Sequence, residues 1–162
     1  MFKAYLESIS LIERLHRQFL DVIKAELDAL GIRDINNVQA LILFNIGGED
    51  LTVGELTQRG YYLGSNVSYN LKKMVEAGYI AQERSQHDRR SVRICLSPKG
   101  VDLWNRMNAM FQRHADQVGV GGEALAAANA TLRDLERFWA GVQVTTTRAG
   151  LAEPRIYAVA GA

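Results

Sequence analysis

Hydrogen-bonding and cationic side chains are concentrated in two neighbouring segments of the chain. The first runs Gly64-Ser65-Asn66-Val67-Ser68-Tyr69-Asn70-Leu71-Lys72-Lys73, and the second runs Ser85-Gln86-His87-Asp88-Arg89-Arg90. Asn and Ser side chains can pair with the edges of DNA bases, whereas Lys and Arg attract phosphates. Both segments therefore suit contact with a nucleic acid if the fold brings them to one surface.

The first segment belongs to a pattern typical of a helix-turn-helix. Thr52 and Glu55 form a capping box that begins one helix, and Ser65 or Gly64 begins a second helix that ends at Gly78. The apolar face of the second helix is expected to consist of Val67, Leu71, Met74 and Val75. The side chains expected to face away from the core are Asn66, Tyr69, Asn70, Lys72 and Lys73.

The second segment lies between two predicted strands. Residues 79–84 form one short run, and residues 92–96 alternate apolar side chains with Arg93 and Cys95. The polar residues between them suit the tip of a hairpin, which we call the wing. A helix-turn-helix followed by such a hairpin is a winged helix-turn-helix, which places a helix in the major groove of DNA and the wing in a neighbouring minor groove.

The distribution of charge supports this interpretation, although the net charge of +1 does not. Residues 1–58 carry net −4, residues 59–100 carry net +5 with eight Lys and Arg against three Asp and Glu, and residues 101–162 are neutral. Positive charge therefore collects on the helix-turn-helix and the wing. A solvated basic face without a ligand is the alternative explanation of the charge alone.

Long amphipathic segments flank the predicted winged helix-turn-helix. The pattern predicts a mainly α fold with a small β-wing, in which a winged helix-turn-helix over about 36–97 lies between helical segments over about 1–31 and 98–142 that carry apolar faces able to pack against other helices. These parts are expected to form a single domain over 1–142. Residues 143–162 lack periodicity and are expected to form a flexible tail or an arm ordered by a dimer partner.

Composition argues against several other classes of protein. The single cysteine, Cys95, excludes an internal disulfide and a cysteine-based zinc cluster, and no metal site is expected. No apolar run approaches the roughly 18 residues of a membrane span, so we expect a cytoplasmic protein. His16, His87 and His114 fall in three different elements, and no glycine-rich phosphate loop is present. We therefore expect neither an enzyme nor a bound cofactor.

The order of elements and four motifs resemble the multiple-antibiotic-resistance-regulator (MarR) family of bacterial transcription factors. The motifs are Ser65-Asn66-Val67-Ser68, Gly78-Tyr79-Ile80, Asp88-Arg89-Arg90 and Leu96-Ser97-Pro98-Lys99-Gly100. The resemblance implies a homodimer clasped by the first and the last two helices, and most commonly a repressor released by a small aromatic ligand or by thiol oxidation. Two departures are the bulky turn Gly60-Tyr61-Tyr62-Leu63-Gly64 and Tyr69, which stands where the family often has arginine.

The predicted DNA contacts divide by chemistry. Residues expected at base edges are Ser65, Asn66, Ser68, Tyr69 and Asn70, although a capping role explains Ser65 at least as well. Lys72 and Lys73 are expected at the phosphate backbone. Arg89 and Arg90 suit a narrow minor groove, and Asp88 is expected to orient one of them or the turn.

A ligand site is predicted where the first helix, the fifth helix and the winged helix-turn-helix meet. The candidate lining residues are His16, Phe19, Trp104, Met107 and Phe111. A place in the core or in the dimer seam explains each of these side chains equally well. Cys95 likewise fits two roles, an oxidisable thiol beside Arg93 or a small packed hydrophobe.

The sequence therefore predicts a sequence-specific double-stranded DNA-binding transcriptional regulator, a ligand-responsive homodimeric repressor. Its operator is expected to be a pseudo-palindrome of roughly 16–20 base pairs with half-sites one helical turn apart. The alternative is a winged-helix adaptor that binds proteins and not DNA.

Replacing Asp88 by alanine tests the orienting role of this carboxylate. Asp88→Ala removes a negative charge, which by electrostatics alone should tighten DNA binding. If Asp88 holds a wing arginine in place, the variant should instead bind more weakly in a gel-shift titration. Affinity equal to that of the unmodified protein would show that Asp88 has no such role.

Overall fold

The computed structural model describes residues 1–60, 64–84 and 92–149, except for the side chains at 59, 60, 64, 65, 84 and 143–149. The elements in chain order are α1 (Phe2–Ala29), α2 (Asn37–Ile46), β1 (Leu51–Thr52), α3 (Val53–Gly60), α4 (Gly64–Glu76), β2 (Ile80–Arg84), β3 (Val92–Leu96), α5 (Pro98–Gln117) and α6 (Gly122–Ala149). This mainly helical architecture with a small sheet is the predicted winged helix-turn-helix fold. The chain divides into two compact units, Met1–Ala115 and the residues from Asp116 onward, where the sequence predicted one domain over 1–142.

Helix α2 lies at the centre of the first unit because almost all of its side chains are apolar. Ile42, Leu43 and Ile46 are each at most 1% exposed. Asn36 caps the helix: its side chain accepts from the Gln39 backbone N–H, while the Gln39 side chain accepts from the Asn36 backbone N–H. This reciprocal capping box satisfies two donors that the first turn would otherwise leave unpaired.

The other elements of the first unit contribute one buried face each to the same core. The buried residues around α2 include Ile23 and Leu27 of α1, Leu56 of α3, Val67, Leu71 and Met74 of α4, Ile94 of β3, and Leu103 and Met107 of α5. The apolar face predicted for α4 is therefore confirmed. Burial of these aliphatic side chains supplies the main favourable free energy that holds α4 in place.

The sheet contains one strand that the sequence pattern did not predict. β3 is central, with β2 antiparallel on one side and β1 antiparallel on the other. β1 contains only Leu51 and Thr52, which pair with Ile94 and Arg93. Two residues are too few to show an alternation of apolar and polar side chains, so β1 is recognised only from its pairing with β3.

Helix α6 is longer than predicted. It runs from Gly122 to Ala149, past the predicted helix end at residue 142. The flexible tail or dimer arm over 143–162 stays a prediction. The three threonines at 145–147 have modest helix propensity, but extending an existing helix adds one hydrogen bond per residue without a new nucleation cost. Residues 150–162 lie outside the described residues.

Apolar side chains remain exposed on the two longest helices. On α1 they are Phe2, Leu6, Leu11, Leu15, Phe19 and Val22, and on α6 they are Leu125, Leu132, Phe138 and Val142. Phe2 and Leu15 are 75% and 58% exposed, and Phe138 is 58% exposed. None of the described helices carries an apolar stretch long enough to span a bilayer.

Gly100 allows α5 to approach the backbone of Tyr79 closely, just before β2 begins. A Cβ atom at position 100 would lie 2.1 Å from the Tyr79 carbonyl oxygen, a backbone atom that cannot rotate away. The Tyr79 carbonyl already accepts a hydrogen bond from the Ser97 backbone N–H at 3.0 Å. The glycine of the Ser97-Pro98-Lys99-Gly100 motif is therefore required by this contact.

We expect Gly100→Ala to lower the free energy of unfolding by more than about 2 kcal/mol, because the backbone of β2 or α5 must shift. Gly54→Ala in α3 is the matched control, since its nearest neighbour would be the Thr52 Oγ1 at an ordinary 3.9 Å. Urea denaturation of both variants measures the difference. Equal midpoints for the two variants would contradict the close approach.

Candidate nucleic-acid interface

Helix α4 presents a polar face to solvent because its opposite face is buried. Val67, Leu71 and Met74 are spaced by four and three residues and are each at most 1% exposed. The side chains of Asn66, Ser68, Tyr69, Lys72 and Lys73 are exposed, with Tyr69 at 62%. Ser65 lies in the helix, but its side chain is outside the described residues. The predicted division of α4 into a core face and a free face is confirmed.

Asn70 is the exception among the residues expected to reach DNA. Its side-chain Nδ2 donates to the Asn66 carbonyl at 2.8 Å, and its Oδ1 accepts from the Gln39 Nε2 at 3.2 Å. The residue is only partly exposed. Each end of the amide has a partner inside the protein, so Asn70 links α4 to α2. Its contact with a base stays a prediction.

The two lysines of α4 differ in their surroundings. Lys73 Nζ donates to the Glu76 carboxylate at 3.1 Å, and this hydrogen bond and the nearby negative charge raise the pKa of Lys73. Within the described part of the chain, Lys72 forms no ion pair. Lys72 is therefore the more available of the two cations for a phosphate group, because Glu76 already offsets the charge of Lys73.

The strands that carry the wing are fixed at their base. β2 and β3 pair in register from Ile80 and Leu96 to Arg84 and Val92. Arg93 of β3 donates from Nε to the Asp50 carboxylate and from Nη2 to the Asp50 carbonyl, each at 2.8 Å. This bond ties β3 to the segment before β1. Asp88, Arg89 and Arg90 lie outside the described residues.

A cluster of three side chains secures the end of α4. The Tyr79 hydroxyl donates to Asp34 Oδ1 at 2.8 Å, and Lys99 Nζ donates to Asp34 Oδ2 at 2.6 Å. The same Lys99 Nζ donates to the Ala77 carbonyl at 2.9 Å and lies 4.1 Å from the centre of the Tyr79 ring. We call Asp34, Tyr79 and Lys99 the clasp, because it joins the α1–α2 loop, the chain leaving α4 and the start of α5.

The clasp perturbs the ionisation of its own members. The hydrogen bond from Lys99 is the main reason that the pKa of Asp34 lies below its ordinary value of 3.8, and Tyr79 also lowers it. Burial is the main cause that raises the pKa of Tyr79, and the hydrogen bond to Asp34 adds to it. The ammonium group of Lys99 also faces a carbonyl just beyond the C-terminus of α4, where the helix dipole favours a cation.

Three of the five residues predicted to line a ligand pocket pack together around a fourth aromatic ring. Phe44 stacks on Trp104 with ring centroids 5.6 Å apart and meets Phe111 edge-on at 4.7 Å, while Phe19 stacks on Phe111 at 5.8 Å. We call Phe19, Phe111, Phe44 and Trp104 the aromatic row. Each ring of the aromatic row is in contact with at least one other, while Phe19 at one end is also exposed.

The other two residues predicted to line the pocket are Met107 and His16. Met107 is 1% exposed in the core, and His16 lies on the exposed side of α1 beside Glu13 and Arg17. A separate cavity of about 190 Å³ is lined by Trp104 together with Gly47, Gly48, Leu96, Val101 and Asn105. The ligand site predicted from these five residues stays a prediction.

Known proteins share both the sequence and this geometry. The MarR family model matches residues 33–91. The exopolysaccharide II synthesis transcriptional activator ExpG of Rhizobium meliloti (strain 1021) is 40% identical over 138 residues, which are 83% of this chain and 71% of that protein. The chain belongs to the MarR family. Membership in this family makes it a transcriptional regulator and not an enzyme.

Solved structures show the same fold at lower identity. FabT of Streptococcus pneumoniae in complex with DNA has a TM-score of 0.70 and 20% identity, covering 85% of this chain and 99% of that chain. The S. aureus MepR–DNA complex has a TM-score of 0.67 and 18% identity, covering 80% of this chain and 96% of that chain. The fold inferred from the motifs is therefore confirmed.

The geometry explains why this MarR-family chain carries Ser97-Pro98-Lys99-Gly100 after its wing. The Ser97 Oγ accepts from the Gly100 backbone N–H at 3.1 Å and donates to the Gly78 carbonyl at 2.6 Å. Pro98 occupies the first turn of α5, where a missing N–H costs nothing. The motif thus caps α5 and fixes the chain that leaves α4.

Sequence reasoning missed the residues that position the exposed face of α4. Asp34 and Lys99 are 65 residues apart, and Gln39 and Asn70 are 31 apart, so no local pattern joins them. Gln39 did carry a signal, since it is a polar residue within a helix that is otherwise almost wholly apolar. Phe44 had none, because an apolar residue in an apolar helix is unremarkable.

The clasp predicts a pH-dependent contribution to stability. Because the pKa of Asp34 is lowered by folding, its contribution is fully present above pH 3.8 and is lost as the pH falls through the lower folded value. Asp34→Asn should lower the free energy of unfolding near neutral pH by no more than about 1 kcal/mol, since the carboxylate is half exposed. Urea denaturation near pH 7 and pH 2.5 should show this difference shrinking in acid.

Asp102→Asn provides the control for that experiment. It breaks an exposed pair with Arg106 within α5 and should cost less than about 0.5 kcal/mol at either pH. A difference between the Asp34→Asn variant and the unmodified protein that stays constant down to pH 2.5 would contradict the role of the Asp34 charge.

Proposed function

We propose that this chain acts as a homodimer that inserts α4 of each protomer into the major groove of one DNA duplex, in the bacterial cytoplasm. The observation that carries the proposal is the free face of α4, where Asn66, Ser68, Tyr69 and Lys72 are exposed while the opposite face is buried. A helix with hydrogen-bonding groups near its N-terminus and cations further along suits base contact at one end and phosphate contact at the other.

Each exposed side chain of α4 has a distinct role in this proposal. Asn66 can pair with adenine through both ends of its amide, and Ser68 can donate to or accept from several bases. Tyr69 offers a hydroxyl to a phosphate or a ring to a thymine methyl group. Lys72, which forms no ion pair with the residues that the structure describes, supplies a cation for the backbone. Lys73 supplies a weaker one because Glu76 is bound to it.

The wing supplies the second contact. Arg89 and Arg90 precede β3, which pairs with β1 on one side and β2 on the other, and Arg93 of β3 is bonded to Asp50. Because the base of the wing is fixed, the two arginines are held close to one place on the duplex. Less conformational entropy is then lost when the wing binds DNA. We assign Arg89 and Arg90 to the minor groove and Asp88 to holding one of them.

The exposed apolar side chains of α1 and α6 support a dimer. Surface patches of this kind are uncommon on monomers and mark interfaces. A two-fold pair would place the two copies of α4 about 34 Å apart, one turn of DNA. The operator is then a pseudo-palindrome of roughly 16–20 base pairs, and the pair would neutralise about 6–10 phosphates.

The direction of regulation depends on the position of the operator. We predict repression because it is the commoner mode of regulation in the family. Repression follows if the operator overlaps the promoter. The ExpG relative is named a transcriptional activator. The same protein–DNA contact would support activation if the operator lay upstream of the promoter. The adaptor alternative is not favoured, because relatives with this fold are solved on DNA and positive charge collects on the winged helix-turn-helix.

We also propose that a small aromatic effector regulates DNA binding, from a site beside the aromatic row and not within it. The aromatic row fills its own space, so a ligand there would have to displace a ring. The cavity of about 190 Å³ beside Trp104 is already open. DNA binding requires one spacing of the two α4 helices in the dimer. A ligand that stabilises a different spacing by about 1.4 kcal/mol would weaken DNA binding about tenfold.

Two substitutions on α4 separate its proposed contacts. Lys72→Gln should weaken binding to operator and scrambled DNA alike and should reduce the slope of log affinity against log salt by about 2 per dimer. Asn66→Ala should cost about 1–3 kcal/mol on the operator while leaving the salt slope unchanged. Fluorescence anisotropy with duplexes selected from genomic fragments measures both quantities.

Lys3→Gln is the matched control, since it removes one exposed positive charge near the start of α1. It should leave both the affinity and the salt slope close to those of the unmodified protein. An unchanged salt slope for Lys72→Gln would remove this lysine from the interface. Failure of the unmodified protein to bind any fragment at low salt would favour the adaptor.

A further inference from the structure

Gln39 is a buried polar side chain, with an exposure of 7%. Its Oε1 accepts from the Asn36 backbone N–H at 3.0 Å, which completes the cap of α2. Its Nε2 donates to Asn70 Oδ1 on α4 at 3.2 Å. The cap of α2 uses only Oε1 of the Gln39 side chain. The hydrogen bond from Nε2 to Asn70 on α4 therefore requires a separate explanation.

The bond from Gln39 continues along α4 toward the predicted base contacts. Asn70 Nδ2 donates to the Asn66 carbonyl at 2.8 Å, one turn nearer the N-terminus of α4. Two hydrogen bonds therefore link the capped end of α2 to the backbone of Asn66. The side chain of Asn66 is exposed on the proposed DNA-binding face.

Apolar packing and a buried amide constrain a helix differently. The contacts of Val67, Leu71 and Met74 decide which face of α4 is buried, but dispersion and burial have little directional preference. A hydrogen bond weakens steeply when its angle or length departs from the optimum. An amide pair between α2 and α4 therefore resists small rotations of α4 about its own axis, which apolar contacts resist less.

We propose that Gln39 is a positioning residue for DNA recognition, which sets the rotation of α4 through Asn70 so that Asn66 meets the base edges. This inference rests on the proposed function. Gln39 lies beneath α4 and does not itself touch DNA. Loss of its amide should therefore reduce discrimination between sequences more than it reduces electrostatic binding to any duplex.

The neighbouring residues of α2 provide two matched controls. Asn37 Nδ2 donates to the Leu20 carbonyl of α1 at 3.1 Å, a bond of similar length from the same turn that leads away from α4. Asn36→Ala removes the other half of the capping box that Gln39 shares. Both Asn37→Ala and Asn36→Ala should lower the melting temperature without altering the choice of sequence.

The experiment compares the affinity of each variant for a selected operator with its affinity for a scrambled duplex of the same length, at one salt concentration. Gln39→Met keeps an unbranched side chain of similar size and removes the amide. One hydrogen bond corresponds to a factor of roughly three to ten in affinity, and a dimer contains it twice, so the ratio of affinities should fall by about tenfold to a hundredfold. Affinity for the scrambled duplex should change less than twofold.

A double-mutant cycle distinguishes positioning by Gln39 from a direct base contact by Asn70. Asn70→Ala leaves α2 intact and removes the same bond from the other side. If Asn70 acts only as the partner of Gln39, the doubly substituted protein should lose no more discrimination than either single variant. Fully additive losses would overturn the proposal, because each residue would then act independently.

The outcomes separate this inference from the function on which it rests. An unmodified protein that prefers no duplex over the scrambled one overturns the proposed function. A selective unmodified protein with an equally selective Gln39→Met variant overturns the positioning role alone. Equal losses of selectivity in Gln39→Met, Asn37→Ala and Asn36→Ala would also overturn it, because general loosening of α2 would then explain the effect. If Gln39→Met does not fold, the selectivity of Asn70→Ala decides the question, and an unchanged ratio there overturns the proposal.

Discussion

Burial of one face of α4 is the constraint on which the rest of the structure depends. Val67, Leu71 and Met74 are removed from water against α2, α3 and the sheet, and the free energy of that burial far exceeds any single polar contact in the molecule. Because a helix has 3.6 residues per turn, burying those three positions leaves Asn66, Tyr69 and Lys72 on the other side. The chemistry of the free face is thus decided by the apolar pattern beneath it.

Polar contacts then refine what apolar burial leaves loosely defined. The clasp of Asp34, Tyr79 and Lys99 holds the C-terminal end of α4, and the amides of Gln39 and Asn70 hold it nearer the middle. Both sets connect α4 to the α1–α2 region, so the helix that we propose to face DNA is linked to the helix whose apolar side chains we assign to the dimer. A change in the pairing of two protomers therefore has a physical route to the position of α4.

The sequence predicted those features that repeat along the chain and missed those that depend on distant partners. The faces of α4, the capping box of Thr52 and Glu55, and the start of α5 at Pro98 follow from periodicity or from local capping chemistry. The strand β1, the clasp and the Gln39–Asn70 bond arise only when separate segments meet.

Hydroxyl-radical footprinting of the selected operator, together with the mass of the complex, tests the central claim most directly. The account predicts two protomers per duplex and two protected half-sites whose centres lie one helical turn, about 10–10.5 base pairs, apart. Protection in the minor groove beside each half-site should weaken when Arg89 and Arg90 are replaced. A single protomer on the duplex, or one uninterrupted patch of protection without two-fold symmetry, would contradict it.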